Sequence, residues 1–222
     1  MPQPDTRQTT PAPRLLLASG SPRRAELLSQ IGVPFFSAAT SVEECRRPDE
    51  SGREYVLRLA QEKARAGLAQ SEVGEWEGKR AAVWSLGADT LGIVQDEVLE
   101  KPRDLADFRR MMGLMSGAEH AVLTAICLTD GDQSFSTVVE TRVRFRELSD
   151  RLIEDYWNTG EPRDKAGGYG IQGKGALLVA SIEGSYSNVV GLPLETLSGF
   201  LERAGIPFWQ FDRRVDAGMI EE

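Results

Sequence analysis

The chain carries one histidine and two cysteines among 222 residues. With His120 alone, neither a His-based triad nor a multi-histidine zinc site is available, and His120 reads as a strand-edge residue making one hydrogen bond. Cys45 and Cys127 lack metal-ligand spacing and form no disulfide framework. Both read as small buried or half-buried thiols in a reducing cytosol. No window approaches the roughly 20 apolar residues of a membrane span. The first residues, MPQPDTRQTTPAP, lack the basic and then apolar order of a secretory signal, so a soluble cytoplasmic protein is expected. Positive charge is also short, with a net charge of −8. Nucleic acid is therefore not an expected partner, because non-specific affinity for a polyphosphate backbone needs clustered Lys and Arg. Cations for a small anion must be local, and a divalent metal would supply part of the charge.

What is present begins at Arg14–Gly32, RLLLASGSPRRAELLSQIG. Leu15–Ala18 reads as a buried strand, Ser19-Gly20 as a turn, Ser21 as an N-cap and Pro22 as the first helical residue. The turn thus sits at a helix N-terminus, whose unpaired N–H groups and dipole attract anions. Ser19, Ser21, Arg23 and Arg24 add donors suited to phosphate. On a helical wheel Arg24 falls within the apolar arc and Arg23 on its border. Two arginines at the end of a helix that disfavours cations require an anion.

Further along, Gly32 and Pro34 stop the helix, and VPFF starts a second strand that runs into a polar segment with Glu43 and Glu44. Glu50–Gln70 is an amphipathic helix with Lys63 in its apolar arc, where a lysine either snorkels to water or meets a buried anion. A surface loop follows at 71–80. Ala82–Ala88 then reads as a strand delivering Asp89 and Thr90 at its C-terminal end, the edge where open α/β sheets bind ligands. Asp89 is the first choice for a catalytic carboxylate. A hairpin of 91–94 and 97–99 returns Lys101 beside it. A helix capped by Asp104, with a Met-rich core stripe, ends at Gly117, and a long hairpin pairs 121–129 with 135–145. A helix from Ser149 closes at Gly160. The stretch EPRDKAGGYGIQGKG then exposes backbone to a ligand or forms a compact loop, with Lys165, Tyr169 and Gln172 as its functional side chains. Strands at 176–182 and 187–190 are expected to pair across EGSY, before a last helix at 193–204.

These segments resemble the Maf family of nucleoside triphosphate pyrophosphatases. The likeness rests on LLLASGSPRRAELLSQIGVPF, EKARA at 62–66, GADT at 87–90, EKPRD at 100–104, SGAEH at 116–120, DKAGGYGIQG at 164–173 and EGSYSNVVGLP at 183–193. It covers Arg14 to about Gly205. It implies the elongated α/β architecture of Maf and inosine-triphosphatase-like proteins, a mixed sheet flanked by helices with two lobes around a cleft. The expected organisation is a disordered tail at 1–13, one catalytic domain at 14–205 and a C-terminal tail at 206–222 whose aromatics pack on the body or on a partner subunit.

The resemblance implies hydrolysis of a nucleoside triphosphate to the monophosphate and pyrophosphate. Asp89 is implied as the proton acceptor, and Glu44 and Asp89 as ligands of Mg²⁺ or Mn²⁺. Ser19, Ser21, Arg23, Arg24, Lys63, Lys101 and Lys165 are the phosphate-binding set, and Arg23, Thr90 and Gln172 are implied to set base choice. The glycine-rich loop resembles the subgroup acting on dTTP and UTP. The same chemistry on 7-methyl-GTP, a non-catalytic nucleotide-binding regulator of septum formation and a polyanion-binding module are the alternatives. A homodimer is implied by resemblance alone.

Overall fold

The computed structural model describes residues 14–71 and 83–211. The tail at 1–13, the loop at 71–80 beyond Ser71, and the tail from 212 onward lie outside the described residues. Short apolar runs organise the sheet. Strand β1 (Arg14–Leu17) buries Leu15, Leu16 and Leu17 because both of its faces are covered. It lies parallel to β2 (Phe35–Ser37) on one side and to β3 (Val83–Val94) on the other. Strand β3 then runs antiparallel to β5 (Glu119–Thr129), followed by β6 (Ser134–Phe145) and β7 (Val179–Glu183), while β4 (Glu97–Leu99) folds back on β3. The result is the expected mixed sheet of seven strands, six in the order β2-β1-β3-β5-β6-β7 and β4 off this path beside β3.

Helices cover both faces. Helix α2 (Gly52–Ser71) packs Tyr55, Val56, Leu59, Ala60 and Ala64 against Leu91, Leu123, Ala125 and Cys127. The opposite face carries α1 (Pro22–Gln30), α3 (Leu105–Met115), α4 (Asp150–Asn158), α5 (Tyr186–Val190) and α6 (Leu194–Ala204). Met111, Met112 and Met115 are core residues there, as expected from their helical spacing. No helix among the described residues is long and apolar enough to cross a membrane.

Several expectations are corrected. Strand β3 does not end at Ala88, so Asp89 and Thr90 lie in mid-strand. The reason is pairing: β5 holds one edge of β3 from Ser85 to Ile93. On the other edge β1 stops opposite Leu86 and β4 begins opposite Gly92. Residues 87–91 therefore border a gap in the sheet. Residues 187–190 are helical rather than extended, because Ser185 caps α5 by accepting the Asn188 N–H and the Asn188 side chain is anchored in the core. Strand β7 starts only at Val179, after a 3₁₀ stretch at Lys174–Leu178. His120 is the second residue of β5 and shares one hydrogen bond, with the Tyr169 hydroxyl at 2.9 Å, as expected, but it is buried. Of residues 206–211, Ile206 is buried, Phe208 packs partly buried against the core, and Trp209 and Gln210 donate backbone N–H groups to the Ile31 and Gly32 carbonyls at 2.7 and 2.8 Å, while the Trp209 and Phe211 side chains are exposed.

Candidate active site

The gap beside β3 opens into a cleft of about 570 Å³, and every site residue expected from sequence lines it. Side-chain alternation along β3 divides the work. Asp89 points to the α2 face with Gly87 and Leu91, and Thr90 points to the α1 face with Ala88. Gly87 is required by close approach: a Cβ there would stand 2.2 Å from the Ala60 carbonyl oxygen and 2.4 Å from the Ala64 nitrogen of α2. That contact lays α2 directly on β3 and brings Lys63 to Asp89.

The cradle forms where β1 ends. Ser21 has the extended backbone of an N-cap and Pro22 starts α1, but the Ser21 hydroxyl makes no cap bond. Instead Ser19 Oγ accepts the Ser21 N–H at 3.2 Å. Arg24 turns inward as expected. Its Nε donates to the Gly191 carbonyl at 2.8 Å, Nη1 to Ser19 Oγ at 3.1 Å and Nη2 to Thr90 Oγ1 at 3.2 Å. Burial, with Arg23 nearby, lowers the Arg24 pKa against the pull of Asp89 and Glu44. A guanidinium stays charged regardless, so this is a desolvated cation aimed at the cleft with no ion-paired carboxylate among the described residues.

Opposite it, Lys63 is buried and bridges two carboxylates, with Nζ 2.7 Å from Asp89 Oδ1 and 2.6 Å from Glu44 Oε1. Of the two sequence readings for this lysine, snorkelling or a buried anion, the structure shows a buried lysine meeting anions that are themselves half-buried, at Asp89, and exposed, at Glu44. Burial raises the Glu44 pKa, but the Lys63 hydrogen bond and the charges of Lys63, Lys101 and Arg24 outweigh it and hold the carboxyl below its ordinary value. Lys101 lies at the end of β4, exposed, and Arg23 is half-buried at the start of α1. Neither has an ion-pair partner among the described residues.

The glycine-rich stretch forms the far wall. Lys165 Nζ donates to the Glu161 carbonyl and to Asp164 Oδ1, both at 2.7 Å, while Gln172 is exposed at the rim. Glu161 organises this wall. Its carboxylate accepts from the Tyr156 hydroxyl at 2.8 Å, the Gly175 N–H at 3.0 Å and the Lys174 N–H at 2.9 Å. Tyr156 in turn accepts the Gly170 N–H at 3.1 Å. A Cβ on Gly173 would lie 2.3 Å from Glu161 Oε2. This glycine leaves room for a carboxylate of the protein itself.

The chain matches the sequence profile of the family described as Maf-like protein over residues 14–204. It belongs to the Maf-like protein family. A relative from Pseudoalteromonas atlantica named dTTP/UTP pyrophosphatase is 50% identical over 192 residues, covering 86% of this chain and 97% of the relative. Proteins of the same name from Escherichia coli K12 and Vibrio vulnificus are 51% and 47% identical, covering 84% and 82% of this chain and 92% and 93% of theirs. The likeness spans every element around this Maf-like cleft.

Among the described residues no three His, Cys, Asp or Glu side chains stand together as a metal cage. Glu44 and Asp89 nonetheless converge on one nitrogen, and Glu100 lines the same cleft. Two hard carboxylates that leave the remaining positions to phosphate oxygens and water suit Mg²⁺ or Mn²⁺ bound together with a substrate. Sequence reasoning passed over Glu100 and Tyr55 in the lining, and over Glu161 behind the wall. Glu100 stands directly before Lys101 in EKPRD, and that adjacency was its available signal. Glu161 had none, because its partners lie up to 14 residues away in a loop without periodicity.

Proposed function

We propose that this chain hydrolyses dTTP and UTP to the nucleoside monophosphate and pyrophosphate, by attack of water on the α-phosphorus. The observation that carries the reading is the meeting of Asp89, Glu44 and five cations, Arg23, Arg24, Lys63, Lys101 and Lys165, in one cleft at the start of α1. The relatives' common name, dTTP/UTP pyrophosphatase, supports the substrate class. A cleft of about 570 Å³ accommodates one nucleotide.

Lys63 fixes the orientation of Asp89 through Oδ1. Asp89 Oδ2, with no hydrogen bond among the described residues, is free to accept the proton of the attacking water. Arg24, anchored on three sides, grips phosphate oxygens together with the α1 N-terminus. Arg23, Lys101 and Lys165 hold the pyrophosphate whose charge grows as the bond breaks. A divalent cation held by Glu44 and Asp89 would add Lewis-acid stabilisation of the phosphoryl oxygens. Gln172 and Arg23, at the cleft rim, are proposed to read the base. No covalent enzyme intermediate is needed. A reducing cytosol suits the free thiols Cys45 and Cys127.

Pyrophosphate release from dTTP, UTP, CTP, GTP and 7-methyl-GTP, with and without Mg²⁺ or Mn²⁺, tests the reading against Asp89→Asn. Metal-dependent turnover of dTTP and UTP, falling about 10²- to 10⁴-fold in the variant, is expected. Preference for 7-methyl-GTP would overturn the substrate assignment, and nucleotide binding without turnover would overturn the reaction.

A further inference from the structure

Arg24 is the best-anchored cation of the cleft, and its anchoring continues beyond the residues that touch it. Thr90 Oγ1, which meets Arg24 Nη2 at 3.2 Å, lies 2.9 Å from Thr124 Oγ1. Thr124 Oγ1 donates in turn to the Asn188 carbonyl at 2.8 Å. The direction of every link is determined. A carbonyl only accepts, so the single hydroxyl hydrogen of Thr124 is committed to Asn188. The hydrogen between the two threonines must then belong to Thr90, which leaves Thr90 none to offer another acceptor, and a guanidinium only donates. Thr90 Oγ1 is therefore an acceptor toward the guanidinium, and the chain runs one way, from Arg24 through Thr90 and Thr124 to Asn188.

The far end is immobile. Asn188 is 0% exposed, and its Nδ2 donates to the Val122 carbonyl and to Thr141 Oγ1, both at 3.0 Å. Its carbonyl also accepts the Gly191 N–H at 3.0 Å, and the Gly191 carbonyl is itself the acceptor of Arg24 Nε. Helix α5 thus reaches Arg24 by two routes, one through the Gly191 backbone and one through the threonine pair. Thr124, also 0% exposed, lies behind Thr90 and does not line the cleft.

We propose that Thr124 and Asn188 are positioning residues for Arg24, a buried relay that turns the Thr90 hydroxyl into a dedicated acceptor and thereby aims the guanidinium at the substrate phosphates. The inference rests on the reading of Arg24 as a phosphate-binding group. It assigns EGSYSNVVGLP a role in nucleotide binding beyond the apolar lining that Val189 and Val190 give the cleft. It also limits Thr90. Its hydroxyl has no hydrogen to give a base carbonyl, so any contact it makes to a nucleotide is with a donor.

The test is UTP affinity by titration calorimetry in the Asp89→Asn background, where turnover does not interfere, with full kinetics of the otherwise wild-type chain alongside. Thr124→Val should weaken UTP binding about fivefold, as expected when the hydrogen-bond geometry of a charged group is loosened. Thr124→Ser should restore it to within about twofold. In an Arg24→Lys background the Thr124→Val change should add nothing, because its effect passes through the guanidinium. If Thr124→Val fails to fold, Thr90→Val cuts the same chain one link nearer Arg24 and reads the same coupling. An undiminished effect of Thr124→Val beside Arg24→Lys, or unchanged UTP affinity in Thr124→Val, overturns the relay. Coupling without any turnover by the wild-type site keeps the relay and overturns the proposed reaction, and absence of UTP binding overturns both.

Discussion

Lowering the pH from 7 to 5 should cost the fold about 2 kcal/mol through His120 alone. The imidazole is 3% exposed, with its ring edge-on to Phe145 at 4.8 Å and to Tyr169 at 5.5 Å. Nε2 shares a hydrogen bond with the Tyr169 hydroxyl at 2.9 Å, and Nδ1 has no partner among the described residues. Protonation would therefore create a buried cation with an unsatisfied N–H, and burial pushes the group down to about 4. In the unfolded chain the ordinary value is about 6.5. Between these limits the unfolded chain binds a proton that the native state refuses, so stability falls as pH drops through the window, by about 3 kcal/mol in all. The span from pH 7 to 5 takes about 2 kcal/mol of that. Carboxyls held below their ordinary values, such as Glu44 and Glu161, lose their contribution mainly below this range. Urea unfolding at pH 7 and pH 5 measures the difference. His120→Gln, which cannot titrate, should remove most of it. Equal losses in both proteins, or none in the wild type, would refute the reasoning.

Three substitutions probe the supports of the cleft. Gly87→Ala places a Cβ 2.2 Å from the Ala60 carbonyl oxygen and forces α2 off β3, so a loss of about 3 kcal/mol in urea unfolding is expected. Glu161→Gln turns an acceptor of three donors into a mixed group facing the Lys174 and Gly175 N–H groups, loosening the wall that carries Lys165 and Gln172. Its KM for UTP should rise about tenfold, measured against an unchanged circular dichroism spectrum. Lys63→Met removes the charge that holds Glu44 below its ordinary value, so the Glu44 pKa should rise and the acid limb of the pH–rate profile should move to higher pH.

The cradle was legible in the sequence because its logic is local. A strand, a serine turn, Pro22 and two arginines within one helical turn are read from neighbouring residues alone, and the proposed anion site rests on them. The inward direction of Arg24 and Lys63 was legible for a related reason, since helical spacing tells which side chain must face the core. What was missed is non-local. The sequence places the end of this strand at Ala88, with Asp89 and Thr90 at its C-terminal end, yet β5 pairs on past them to Ile93. The sequence suggests a strand at 187–190 pairing across EGSY. Tertiary anchoring of Asn188 by β5 and β6 overrides that preference. The glycine-rich loop was read as room for a ligand or as a compact loop, and Gly173 shows that part of the room is for Glu161.

An acidic chain and a polyanion site are reconciled by how the cleft distributes its charges. Lys63 is matched by Glu44 and Asp89, and Lys165 by Asp164, so these lysines do not present their full charge to an incoming nucleotide. Among the described residues Arg24 is held by neutral oxygens, and Arg23 and Lys101 have no ion-pair partner. The unmatched positive charge therefore lies along the α1 and β4 sides of the gap, the sides that a triphosphate chain must occupy if its α-phosphorus is to meet a water on Asp89. The paired lysines serve a different end. By neutralising the carboxylates from within, Lys63 lets two acidic side chains stand at the mouth of an anion site without repelling the anion, and it keeps them converged on one point. Repulsion between substrate and catalytic carboxylate is the main electrostatic obstacle to hydrolysing a polyphosphate. Here a lysine buried in the apolar arc of α2, brought there by the contact at Gly87, offsets it.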